Sequence, residues 1–145
     1  MSSAKDLIPG YSFEVTLDGI SFSFSKVSNI SGSIDIDTII DGGKNDAPVI
    51  LRTPKRSPDM LLLERGLYTS FNDTIFSLFK EGTQIATISI NVLRNGSIVR
   101  MFYISSGVVV ARQFSPLDAL SSSVFTVTLQ IAHTGITEIA LPFSL

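Results

Sequence analysis

The residues of this chain best suited to chemistry are its only histidine, a pair of aspartates and a small group of cations. The histidine, His133, ends the stretch "SSVFTVTLQIAHTG". Nucleophilic catalysis would require a serine displayed beside it, and the chain contains no Gly-x-Ser-x-Gly turn. Zinc binding would require further nitrogen or sulfur ligands, and the chain has no cysteine and no second histidine. The sequence therefore lacks the additional residues that either role would require.

Two-residue alternation assigns His133 a structural place instead. It falls on the same strand face as Val127, Leu129 and Ile131, whereas the threonines and the glutamine between them face the other way. We therefore predict a histidine at the end of a buried strand, with ring nitrogens bonded to backbone groups.

Asp35 and Asp37 alternate with Ile34 and Ile36 in "SGSIDIDTII". On one strand face they would lie about 6.5–7 Å apart, a separation that paired carboxylates of glycosidases also show. No aromatic platform or apolar pocket accompanies them in the sequence, so a solvated acidic strand face is the favoured interpretation.

The cations Arg52, Lys55 and Arg56 lie in "DGGKNDAPVILRTPKRSPD", residues 41–59, where prolines and glycines break any periodic pattern. They could contact phosphate, but a solvated loop or an ion-pair element between subunits is favoured. This segment is predicted to be a long loop that contains one short strand at residues 49–51. A loop this long usually has a function, and the apolar trio of that strand has no partner within the loop. We predict that it bridges subunits through Val49, Ile50, Leu51, Arg52, Lys55, Arg56 and Asp59.

The composition favours an oligomer. The 145 residues suit one domain over 1–145, with a net charge of −2 that indicates no nucleic-acid tail. Mean hydropathy is +0.36 and 17% of residues are charged, below the roughly 25% of typical globular chains. No apolar run is long enough to cross a bilayer, which predicts synthesis as a soluble cytoplasmic protein without membrane insertion. The apolar surplus predicts contacts between subunits.

Local patterns predict a mainly β fold with one helix. "FEVTLDGISFSFS" and "ATISINVLRNGSIVRMFYIS" each alternate around an Asp-Gly or Asn-Gly pair and predict β-hairpins. "GVVVARQF" and the opening stretch complete the predicted sheet. In "LYTSFNDTIFSLFKEG" helical spacing predicts one amphipathic helix, capped by Thr69 or Ser70 and ended by Gly82. Its predicted apolar face consists of Leu67, Phe71, Ile75, Leu78 and Phe79.

Taken in order, these segments resemble the tail-tube protein family of contractile phages and phage-like injection systems. The landmarks are "FEVTLDG", "FSKVSNISG", "IIDGG", "LLLERGL" and the block "SPLDALSSSVFTVTLQIAHTGI", over about residues 11–136. Phenylalanines such as Phe79 and Phe102 stand near positions where family members often have tryptophan. This departure bears on the source system rather than on the fold.

The resemblance implies an antiparallel β-barrel or sandwich with one peripheral helix, and a structural protein without catalytic, metal or cofactor sites. It also implies six-membered rings stacked into a hollow tube inside a contractile sheath, with baseplate or hub and tape-measure proteins as partners. Cargo effectors or phage DNA would pass through the lumen, and the protein would reside in a virion tail or an injection particle. The alternatives are a secreted ring that carries effectors, similar to that of type VI secretion, and a small β-barrel module that binds a sugar or lipid.

Overall fold

The computed structural model describes residues 11–39, 49–53, 57–67, 71–120 and 124–140. In chain order the strands of this part are β1 (Ser12–Leu17), β2 (Ile20–Phe22), β3 (Lys26–Ser28), β4 (Asp35–Ile39), β5 (Val49–Thr53), β6 (Asp59–Gly66), β7 (Gln84–Ile85), β8 (Ile88–Arg94), β9 (Ser97–Ile104), β10 (Gly107–Phe114), β11 (Thr126–His133) and β12 (Thr137–Ala140). One helix, α1 (Phe71–Phe76), lies between β6 and β7. No helix in these ranges is long and apolar enough to cross a membrane.

Two five-stranded sheets form the body of the protein. The first has the order β12-β9-β8-β1-β2 and the second the order β3-β6-β11-β10-β7, with antiparallel neighbours throughout. Within the described part of the chain, strands β4 and β5 pair only with each other. The predicted mainly β architecture with one helix is confirmed.

Both predicted hairpins are present, and their turns explain why the sequence carries Asp-Gly and Asn-Gly. Asp18 and Gly19 have φ values of 50° and 82°, and Asn95 and Gly96 have 53° and 81°. Two consecutive residues in the left-handed region form the turn whose twist matches that of the flanking strands. The Asp18 side chain adds a second function, because its Oδ1 accepts hydrogen bonds from Ala86 N at 2.7 Å and Thr87 N at 3.1 Å.

The core lies between the sheets, because alternate residues of each strand face inward. The period-two burial predicted for β11 is confirmed, with Val127, Leu129, Ile131 and His133 buried. The apolar core consists of Val15, Leu17, Phe22, Leu61, Leu63, Phe76, Phe79, Ile85, Ile88, Ile90, Ile104, Val109, Val127, Leu129 and Ile131.

Helix α1 is shorter than the spacing predicts. After Phe76 the chain tightens, and Leu78 N and Phe79 N donate to the carbonyls three residues earlier, each at 3.0 Å. This tighter turn rotates the following residues away from the α-helical face. Phe79 remains buried, but Leu78 is 66% exposed, so its predicted place on the core face was wrong. Ile75 packs at the core margin, whereas the Phe71 side chain, Thr69 and Ser70 lie outside the described residues.

Candidate assembly surfaces

The hairpin of β4 and β5 is the element least accounted for by the fold of a single chain. It pairs with neither large sheet, and its register sets Ile36 opposite Arg52 and Thr38 opposite Ile50. Alternation therefore places Ile36, Ile50 and Arg52 on one face and Leu51 on the other. The exposed fractions are 51% for Ile36, 63% for Ile50 and 43% for Leu51. Apolar side chains thus remain in solvent on both faces.

A two-stranded hairpin with this exposure needs a further partner. Isolated two-stranded hairpins are marginally stable at best in water, and three or more strands or a packed face are needed for independent stability. A second molecule could cover either apolar face. The hairpin is therefore suited to bury an apolar face against a neighbouring protein surface.

The structure revises the extent of the predicted loop 41–59. The apolar trio belongs to β5, which pairs with β4, and Asp59 begins β6 rather than lying in the loop. Asp59 Oδ1 accepts a hydrogen bond from Ser33 Oγ at 2.9 Å. Lys55 and Arg56 lie outside the described residues, as does the side chain of Val49. A role between subunits stays a prediction for these positions and for the exposed Ile50, Leu51 and Arg52.

His133 is buried at the end of β11 as predicted, but its ring does not form the predicted hydrogen bonds among the described residues. It is 2% exposed, and neither ring nitrogen has a hydrogen-bond partner in the part of the chain that the structure describes. His133 pairs with Asp59 on one side and with Gly107 on the other. Because it lies between two ladder partners, neighbouring backbone groups are engaged in strand pairing. The predicted bonds from the ring to the backbone were therefore wrong.

Asp35 and Asp37 lie on β4 as predicted, and their side chains fall outside the described residues. The described residues contain no cluster of three or more histidine, cysteine, aspartate or glutamate side chains that could hold a metal ion.

The sheet edges offer a second kind of assembly surface. Strands β12 and β2 bound the first sheet, and β3 and β7 bound the second. All four residues of β12 are exposed. An edge strand presents unpaired backbone donors and acceptors, which another strand can use.

The sequence landmarks and this fold coincide with a known family. The profile described as "T4-like virus tail tube protein gp19" matches residues 9–137. The chain belongs to this family. It is therefore a tail tube protein of the kind found in contractile phages and phage-like injection systems. A search by sequence among curated proteins gives no match.

Solved structures show the same fold as this tail tube protein at low sequence identity. A chain of the "Extracellular Contractile Injection System, PVC sheath-tube complex in extended state" has a TM-score of 0.73 and 15% identity, covering 97% of this chain and 99% of that one. A chain of the anti-feeding prophage baseplate has a TM-score of 0.68 and 23% identity, with 92% and 94% covered. Hcp1 from Flavobacterium johnsoniae has a TM-score of 0.53 and 14% identity, with 92% and 98% covered.

Proposed function

We propose that this tail tube protein is the repeating inner-tube subunit of a contractile particle, in which residues 1–145 form one tube domain. Subunits close into hexameric rings, and the rings stack into a hollow tube. A contractile sheath surrounds the tube, and a baseplate or hub and a tape-measure protein adjoin it. The lumen conducts DNA or protein cargo. The subunit acts mechanically and has no catalytic role.

Two kinds of surface support this arrangement. The outer strands of the two sheets offer edges at which strands of neighbouring subunits can pair within a ring. The β4–β5 hairpin lies outside those sheets and can reach a different neighbour. A head-to-tail contact closes a ring when its rotation allows, whereas a contact along the axis repeats without limit. Together the two contacts generate a tube from one chain.

The partners are proposed by analogy with the neighbouring structures. One of these is named as a sheath-tube complex and another as a baseplate. The particle would assemble from cytoplasmic components and act as a phage tail or an extracellular injection device.

The proposed stacking contact rests on one observation: the β4–β5 hairpin exposes apolar residues on both faces. Replacing Ile36 and Ile50 together with serine removes two apolar side chains from one face without altering strand pairing. We expect the variant to keep its β-rich circular dichroism spectrum but to give isolated rings or subunits in electron micrographs.

The matched control is Leu78→Ser. Leu78 is 66% exposed, similar to Ile50 at 63%, but it follows α1 rather than lying on the hairpin. The control should still form tubes. Long tubes from the Ile36 and Ile50 variant would contradict the assignment of the hairpin to the stacking contact.

A further inference from the structure

An open cavity of about 380 Å³ lies at one end of the body. Its walls come from β1, β8 and β9 of the first sheet, from the edge strand β3 of the second, and from Ile30, two residues after β3. The apolar wall includes Phe13, Val27 and Phe102, which pack against the core. The cavity is therefore a part of the inner apolar surface that the described residues leave uncovered.

Two cations line the same cavity and restrict what can fill it. Arg100 forms an ion pair with Glu138 on the neighbouring strand β12. Lys26 is exposed, and among the described residues no acidic group lies within ion-pair distance of it, although Glu64 occupies the position across from it on β6. A complementary occupant has large apolar side chains and a carboxylate between them.

The segment between β10 and β11 carries that combination. Leu117 and Leu120 are 85% and 97% exposed, the two highest values among the large apolar side chains of the described residues. Asp118 lies between them, and its Oδ1 accepts a hydrogen bond from Leu120 N at 3.0 Å. This local bond shapes the segment into a turn that holds the acid and both leucines together.

We propose that Leu117, Asp118 and Leu120 of one subunit dock into this cavity on a second copy of the chain. The leucines cover the apolar wall, and Asp118 approaches Lys26. The β4–β5 hairpin suits the cavity less well, because Arg52 shares the face of Ile36 and Ile50 and would repel Lys26 and Arg100.

The contact joins two different surfaces of the chain, so it is head to tail and can repeat around a ring or along an axis. It rests on the proposed tube, since both copies are subunits of that assembly. It assigns a specific partner to an apolar surface that the stacking hairpin does not use.

Cysteine cross-linking tests the contact, because the chain has no cysteine of its own. Ile30→Cys, at the cavity, and Leu120→Cys are made as separate variants, and one carries a tag. Tubes assembled from the mixture are treated with a short bis-maleimide. We expect a cross-linked dimer that contains one chain of each kind. The control mixture, Ile30→Cys with Leu78→Cys, should give no such dimer.

A charge exchange provides an independent readout. Asp118→Lys should raise the concentration needed for tube formation on the order of tenfold or more, because three cations would then meet. Adding Lys26→Glu should recover much of this loss, since the exchanged pair is again opposite in charge. Normal tubes without the mixed dimer, or a charge exchange without recovery, would overturn the docking contact and leave the proposed function intact. Failure of the unaltered chain to form any tube would instead count against the proposed function.

Discussion

Arg65 and Asp73 form a buried ion pair that joins β6 to helix α1, with side chains only 4% and 10% exposed. Asp73 Oδ1 accepts hydrogen bonds from both Nε and Nη2 of the guanidinium, with Nε at 3.1 Å. Nη1 donates to Ser23 O at 2.6 Å. The guanidinium also lies 5.6 Å from the ring centroid of Phe22 and 5.2 Å from that of Phe76. One buried cation therefore connects the helix, the second sheet and the segment after β2.

Removing Arg65 should destabilise the fold strongly. Arg65→Ala leaves the carboxylate of Asp73 largely buried without the guanidinium, and breaking a buried pair in this way costs about 3–5 kcal/mol. Arg112→Ala is the matched control, because Arg112 pairs with Glu81 at 3.4 Å in a more exposed setting. That change should cost less than about 1 kcal/mol from the ion pair. Urea unfolding of both variants measures the two losses in the free energy of unfolding. Equal losses would show that the buried ion pair stabilises the fold no more than the exposed one.

The residues after α1 should differ sharply in their contribution to stability. Phe79 is 7% exposed and packs edge-on against Phe22, with the two ring centroids 5.7 Å apart. Leu78 is 66% exposed. Phe79→Ala should cost about 3–5 kcal/mol. Leu78→Ala should change the free energy of unfolding by less than about 0.5 kcal/mol. Thermal unfolding of the two variants provides the comparison. A larger loss of stability for Leu78→Ala than for Phe79→Ala would mean that Leu78 packs on the core as the helical spacing predicts.

Gly107 should tolerate no side chain. A Cβ there would lie 2.7 Å from Ile131 Cγ2 on the neighbouring strand β11 and 3.0 Å from Ile88 Cδ1 on the other sheet. Gly107→Ala should therefore lower stability by about 1–3 kcal/mol through overpacking. Gly135→Ala is the control, because no heavy atom lies within 4 Å of a Cβ built there. If chemical denaturation shows no difference between these variants, the close approach of the sheets is not as described.

His133 should be replaceable by an apolar side chain. Its ring nitrogens have no partner among the described residues, and a buried polar group without a hydrogen bond costs about 1–3 kcal/mol. His133→Leu should therefore retain tube formation, with a free energy of unfolding equal to or above that of the unaltered chain. Electron microscopy and denaturation together check this. Tubes that form normally but lose particle activity would indicate a chemical role for the histidine.

Periodicity predicted the parts of the fold in which one face is buried. The hairpins around Asp18-Gly19 and Asn95-Gly96 and the alternation of β11 followed from local residue choice. Strand β6 was harder to predict, because its "MLLL" is a short continuous apolar run that fits a buried strand or a helix. The buried position of Arg65 could nevertheless be predicted, because Arg65 continues the two-residue spacing of Leu61 and Leu63.

Other features depend on contacts between distant residues. The rotation of Leu78 away from the core follows from a tightened turn that helical spacing does not contain. The cavity beside Lys26 forms only when β1, β8 and β9 meet β3. The short strand predicted at residues 49–51 is present within β5, but its pairing with β4 joins segments that are distant along the chain. No local sequence pattern specifies these arrangements.

The most direct test of the tube proposal is cryo-electron microscopy of the purified, unaltered chain under assembly conditions. The account predicts stacked rings of six subunits around an open lumen, with the β4–β5 hairpin of each subunit against a neighbouring ring. A protein that stays monomeric across concentration and salt, or forms closed rings that never stack, would contradict it.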